Sequence, residues 1–325
     1  MNQKSPKADV FQVGVTLHSF AKEYLNYAWS FEDMLELAGY LGGGVEIVGP
    51  SHQRGFPVLT DEFERIFKSA VERFGLTPTS YGSYADPFRL ADRNLTNDEL
   101  IEYTIPQLKA AATLGFPVVR LQYFVHTVAE KLLPVAEKLN LRMGYELHAP
   151  LVFDADITKR LIDQIERLNS PHLGLVPDCG IFCHSIPKFR LDMAQRGLPE
   201  EVVQRAEKLW LSNVPIEEAQ PQLLAMGISE AQFMALEMFW GCQGQSDPKH
   251  LVTYMHRIVH MHGKYFSIVN GDEPDVRYEE IVAALIKGGY RGWMSAEYEG
   301  SSDVNSFVSV KAYQDMVHRY IAKYV

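Results

Sequence analysis

RMGYELH (142–148) and LGLVPDCG (173–180) both begin apolar and turn polar only at their C-terminal ends, as do IVHMHGK (258–264) and GWMSAEYEG (292–300). If these four runs lie as parallel strands in one barrel, their polar ends meet on one face. Glu146, Asp178, His262 and Glu297 would then converge. Three carboxylates and an imidazole repel one another unless positive charge sits between them, and a divalent metal is the simplest source of it.

Working outward, the same alternation of short apolar run and longer helical pattern fills most of the chain. VFQVGVTL (10–17) reads as strand one and GVEIV (44–48) as strand two, with a helix over 30–42 between them that Ser30 can cap. A helix over 61–74 stops at Gly75, strand three lies within 76–84, and a long helix over 97–114 stops at Gly115. Strand four is VVRLQYF (118–124), followed by helix 127–139, strand five (142–148), helix 156–168 and strand six (173–179). From His184 to about Lys249 the pattern is helical with no intervening strand. Strand seven (258–264), helix 278–287, strand eight (292–298) and a last helix over 306–320 complete the series. Eight such repeats predict an α/β fold, a (β/α)8 barrel in one domain over 1–325 with a helical insertion at about 184–249 after strand six. A doubly wound open sheet is the alternative. It calls for a Gly-rich phosphate turn after strand one, where this chain reads LHSFAKEY.

Composition narrows the functional classes. With 46% apolar and 22% charged residues, the chain can bury a sizeable core. The formal charge of −10, from 31 basic and 41 acidic residues, disfavours nucleic acid and anionic membrane as partners. Three cysteines make no disulfide framework, and the start, MNQKSPKADVFQV, lacks a signal-peptide core. A cytoplasmic location is the expectation. CGIFCH (179–184) is one residue too long between its cysteines for haem attachment, so Cys179 and Cys183 read as small buried side chains.

In barrels of this kind function sits at the C-terminal strand ends. His18, Glu46, Tyr81, Tyr84 and Gln122 fall there on strands one to four. Glu146 with His148, Asp178, His260 with His262 and Lys264, and Glu297 with Glu299 fall there on strands five to eight. Residues two apart on a strand share a face. Any one of these could be an ordinary polar strand end, but the repetition on four consecutive strands favours a metal site. An O,O,N,O donor set without thiolate favours Mn²⁺, with Mg²⁺ or Co²⁺ as alternatives.

The order Glu146 (in YELHAP), Asp178 (in VPDCG), His262 (in HMHGKYF), Glu297 (in SAEYEG) resembles the xylose-isomerase-like barrels of sugar isomerases and epimerases, over nearly the whole chain. The resemblance implies that these four hold a divalent metal. His260 competes with His262, which is preferred because the family's strand-seven histidine usually stands two residues before a lysine, here Lys264. The long insertion, HMHGKYF and SAEYEG look most like the larger subunit of bacterial C-glycoside deglycosidases. That implies C–C cleavage between a 3-oxo sugar and an aromatic aglycone, by a subunit that works with a smaller partner chain.

Such chemistry starts with loss of a proton next to a carbonyl, beside a metal acting as Lewis acid. His148 is the candidate base, with orientation of Glu146 as its competing role. His18, Glu46, Gln122, Lys264 and Glu299 are candidate substrate contacts. Ketose epimerases and isomerases share the first step, and there Glu146 and Glu297 would shuttle the proton. A non-catalytic barrel subunit is the alternative of another class, and a DNA-repair nuclease is disfavoured by the negative charge. Phe233, Met234, Leu236, Met238, Phe239 and Trp240 crowd into one helical stretch, which predicts a substrate roof, plain core or a subunit contact. His250, His256 and His318 fall on predicted helices and receive no role.

Overall fold

Eight parallel strands form the sheet: β1 (Gln12–Thr16), β2 (Gly44–Val48), β3 (Thr77–Gly82), β4 (Val118–Leu121), β5 (Arg142–Leu147), β6 (Leu173–Pro177), β7 (Met261–Tyr265) and β8 (Trp293–Tyr298). The computed structural model describes residues 10–86 and 89–325, so the first residues of the N-terminal stretch read above lie outside it. Hydrogen bonding runs β6-β5-β4-β3-β2-β1-β8-β7. The remaining seam, between β6 and β7, is joined only by the parallel bridges Leu175↔Ile258 and Asp178↔His262. The barrel is thus nearly closed, and one of the two bridges that draw it together joins two of the expected metal ligands.

Local chemistry explains the boundaries. Ser30 and Asp33 form a reciprocal cap on helix Phe31–Tyr40, and Thr96 and Glu99 do the same for Asn97–Leu114. Helices Asp61–Phe74 and Asn97–Leu114 end on Gly75 and Gly115, at φ 66° and 87°, a backbone that side chains resist. Strand four is shorter than its apolar run suggests. After Leu121 the chain turns into a 3-10 segment, Tyr123–Thr127, and the Gln122 side chain accepts a bond from the Ala85 N–H at 2.9 Å. Strand seven starts at Met261, because Ile258 and Val259 reach only β6 across the seam; the Val259 N–H donates to the Leu175 carbonyl at 2.9 Å.

Four helices stand between β6 and β7 before a short fifth: Lys188–Gly197, Glu200–Leu211, Ile216–Leu224 and Glu230–Trp240. They pack round Trp210, fully buried, whose indole N–H donates to the Phe239 carbonyl at 2.7 Å. The return to the barrel is tight: a Cβ at Gly244 would lie 2.2 Å from the Ile181 carbonyl oxygen, so only glycine fits. Of the apolar stretch, Phe233, Leu236, Phe239 and Trp240 are buried in this chain, whereas Met234 and Met238 are 66% and 40% exposed. Of the readings of this stretch, plain core holds for those four, and the two methionines are left for a partner or a substrate roof. Cys179, Cys183 and Cys242 are free and buried. Among the described residues, no helix is long and apolar enough to cross a membrane.

Candidate active site at the C-terminal strand ends

Parallel pairing puts the polar strand ends level with one another. Thr16 is in register with Glu46, and Lys264 with Glu297. Into the mouth project the carboxylates Glu46, Glu146, Asp178, Glu297 and Glu299 and the bases Arg120, His262 and Lys264.

His262 is wholly buried and central. Its Nε2 stands 2.8 Å from Glu46 Oε1, and its Nδ1 stands 3.2 Å from both Glu146 Oε1 and Glu297 Oε2. Ligand atoms of Glu146, Asp178 and His262 lie within 4.8 Å of one another, as do those of His18, Glu297 and Glu299. Glu297 therefore adjoins the first cluster through His262 and belongs by position to the second. Lys264 Nζ links the two, 3.2 Å from Asp178, 3.5 Å from Glu297 and 3.1 Å from Glu299. It also stands 2.6 Å from His148 Nε2, while His148 Nδ1 faces the Ala149 carbonyl at 2.8 Å. His260, the rival of His262, contacts Ser295 at 2.9 Å and Glu46 at 3.4 Å.

Some expected contacts are placed differently from others. His18 Nε2 lies 3.7 Å from Glu299 at the open rim. Glu46, expected to face substrate, is fully buried beneath His262 and His260. Tyr81 is buried too, its hydroxyl donating to Gln53 at 2.8 Å, and Gln122 is occupied by the Ala85 amide. Two residues join the site that strand-end reading passed over. Arg120, in the middle of β4, reaches Glu146 at 2.5 Å and Glu46 at 3.3 Å. Arg190, from the first helix after β6, comes within 4.0 Å of Glu299. A lone arginine inside the apolar run VVRL is a usable signal for the first; nothing in the local pattern marks the second.

The electrostatics are those of a site short of positive charge. Five carboxylates face three permanent cations, Arg120, Lys264 and, at the rim, Arg190. Burial works against charging Glu146, but the Arg120 guanidinium and His262 outweigh it and hold the carboxyl down at about 2. Glu46 and Glu297 are likewise held well below the usual range despite burial, the first by His262 and Arg120, the second by Lys264 and His262. Asp178 goes the other way: burial lifts it to about 6 in spite of Lys264, with Glu297 adding to the rise. His262 is pushed well above its ordinary value, burial being overcome by Glu46 and Glu297.

A divalent ion fits these residues. The donors are oxygens and one imidazole, and the fully buried Asp178 Oδ2 makes no hydrogen bond among the described residues, only the ion pair with Lys264 at 3.2 Å. Were His262 Nδ1 to face an ion, its Nε2–H would donate to Glu46, the carboxylate–histidine–metal arrangement that fixes a ligand ring.

Comparison with known proteins agrees with this architecture. The model of the xylose isomerase-like TIM barrel matches residues 33–317. The 3'-dehydrocarminate deglycosidase alpha subunit of a Microbacterium species is 36% identical over 311 residues, covering 89% of this chain and 88% of that one. A C-glycoside deglycosidase alpha subunit of Arthrobacter globiformis is 31% identical, covering 89% and 85%. Among solved structures, the IolI protein with a bound zinc atom superposes with a TM-score of 0.54 at 12% identity, covering 97% of this chain and 99% of that one, a likeness of fold alone. The chain belongs to the xylose isomerase-like TIM barrel family, alongside the alpha subunits of C-glycoside deglycosidases.

Proposed function

We propose that this chain is the larger, catalytic subunit of a C-glycoside deglycosidase, a metal-dependent lyase acting on a 3-oxo C-glycoside. Glu146, Asp178, His262 and Glu297 hold one divalent ion, Mn²⁺ by preference, with Mg²⁺ or Co²⁺ able to replace it. Bound there, the ion supplies Lewis-acid polarisation of the sugar carbonyl. Glu46 orients His262, and Arg120 keeps Glu46 and Glu146 ionised.

The observation that carries the reading is His148 against Lys264 at 2.6 Å, beside the carboxylates. With Nδ1–H donating to the Ala149 carbonyl, Nε2 carries the lone pair and is the basic atom. Lys264, which donates to that lone pair in the absence of substrate, is positioned to turn to a substrate oxygen. His148 then takes the proton from the carbon next to the carbonyl. The carbon–carbon bond to the aglycone breaks one position further along, leaving a conjugated double bond in the sugar, and the aglycone carbon takes up a proton. His18 and Glu299, at the rim, suit sugar hydroxyls.

The relatives' designation as alpha subunits supports a smaller second subunit. One observation favours a second reading, a ketose epimerase: Glu146 and Glu297 both lie 3.2 Å from His262 Nδ1, a pair of carboxylates close enough to serve one substrate carbon as acid and base. Incubation of the Mn²⁺-loaded, co-expressed complex with 3-oxo C-glycosides and, separately, with free ketohexoses decides between them. Released aglycone is the expected product. Intact C-glycoside with epimerised ketohexose establishes the second reading instead.

A further inference from the structure

Next to Glu299 the mouth opens into a cavity of about 320 Å³. The barrel forms one side of it and the helices after β6 the other, through Phe189, Arg190 and Met238. Tyr298 and Lys22 complete the walls that matter here. Most of the exposed wall is apolar, and His18, Lys22, Arg190, Glu299 and several serines supply its polar groups. Aromatic rings, a thioether and a flat guanidinium are surfaces that take a planar π-system better than a hydroxylated sugar ring.

Arg190 is the unusual member. Its side chain is only 9% exposed, and its charge has one carboxylate near it, Glu299 at 4.0 Å. That carboxylate is already shared with Lys264 at 3.1 Å and His18 at 3.7 Å. One guanidinium nitrogen donates to the Met238 carbonyl, Nε has no hydrogen-bond partner among the described residues, and the Cys242 thiol lies alongside. The guanidinium stacks over Phe266, 4.9 Å from the ring centroid, which holds its plane. Lys22 adds a second cation to the wall, fixed by the Ser302 and Val304 carbonyls at 2.5 and 3.3 Å. Lys22 also stands 3.6 Å from Glu23, so the spare positive charge in the wall is that of Arg190, whose neighbouring carboxylate is overcommitted. A buried arginine with spare donors is placed for an acceptor that arrives with the ligand.

We infer that this cavity binds the planar aromatic part of the ligand, that this part carries an acidic oxygen, and that Arg190 is the residue that reads it. The inference rests on the proposed reading of the adjoining strand ends as a catalytic site, because it makes the cavity the leaving-group side of that site. It gives the helices after β6 a role in specificity: they carry Arg190, Phe189 and Met238 to the barrel mouth.

The test uses two probes of nearly equal shape on the full chain, 4-hydroxybenzoate and 4-hydroxybenzamide, with binding followed by calorimetry. The wild-type chain is expected to favour the charged probe by roughly tenfold to hundredfold, the worth of one charge-assisted hydrogen bond. Arg190→Met should bring the ratio near one, and Arg190→Lys should restore part of it. Because Arg190 also holds the Met238 carbonyl, Met238→Glu is the second variant; it leaves the arginine in place and sets a negative charge at a 40% exposed position. It should likewise remove the preference. Equal affinity for both probes in the wild type overturns the inference, and so does a preference that survives either Arg190→Met or Met238→Glu. A chain that shows the preference but turns over no 3-oxo C-glycoside leaves the pocket standing and refutes the proposed activity.

Discussion

His148 keeps its two ring nitrogens in different company, one on the Ala149 carbonyl and one on Lys264. As the proposed base, it should contribute to proton transfer and not to metal retention. His148→Ala should therefore keep its metal and lose about 10²–10⁴ in rate; metal analysis beside a turnover assay checks this, and loss of the metal would make His148 a ligand or its support. Arg120 has the opposite character. It is the charge that permits Glu46 and Glu146 to be buried together, so Arg120→Met should cost about 3–5 kcal/mol in urea unfolding of the metal-free chain. A loss near zero would show that the carboxylates are balanced some other way. That Glu146, Asp178, His262 and Glu297 meet at one mouth was legible because each closes an apolar run at the same end of its strand. Arg120 was passed over because it lies inside its run, and its partners come from β2 and β5, far off in the chain. Glu46 looked like a substrate contact for the converse reason: strand-end position gives direction along the barrel but not depth within it.

The short helix Gly49–His52, directly after the strand that carries Glu46, makes the stability of the fold depend on acidity. His52 Nδ1 accepts the Val48 N–H at 2.9 Å, a bond that only the unprotonated nitrogen can make. Burial, aided by the charge of His18, draws this histidine down to about 4 from 6.5. Between those values the unfolded chain binds the extra proton and the folded one does not. Stability is thus present in full above pH 6.5 and falls as the pH drops toward 4, by about 3 kcal/mol over the whole window. Urea midpoints at pH 7 and pH 4.5 should converge in His52→Asn, whose side-chain oxygen can still accept the Val48 N–H. A variant that declines as steeply as the wild type would put the acid sensitivity elsewhere. Elements of this kind are only half legible. The capped helices over 31–40 and 97–114 could be read from Ser30, Thr96 and their partners, since a cap is a local interaction. Strand four could not be ended correctly, because what ends it is the demand of the Ala85 amide for the Gln122 side chain, a contact between two loops.

Across the whole molecule, the (β/α)8 barrel was legible from the count of alternating runs, and its near-closure follows from eight strands. The helices between β6 and β7 were legible as helices, yet their placement over the mouth was not, because it depends on the glycine contact at Ile181 and on the packing round Trp210. They bury most of their own apolar stretch, so a partner chain would meet Met234 and the polar surface near it, not a bare hydrophobic face. The smaller subunit proposed above is expected to co-purify as a hetero-oligomer in native mass measurement, and Met234→Glu to loosen it. Full activity from a dilute monomer would argue for the epimerase reading. The site at the strand ends is tested by metal content and turnover measured on one preparation each of wild type and Glu146→Ala. The wild type should hold about one divalent ion per chain, and Glu146→Ala should lose ion and turnover together while the circular dichroism of the barrel persists. A Glu146→Ala chain with full metal content and normal turnover would contradict the assignment.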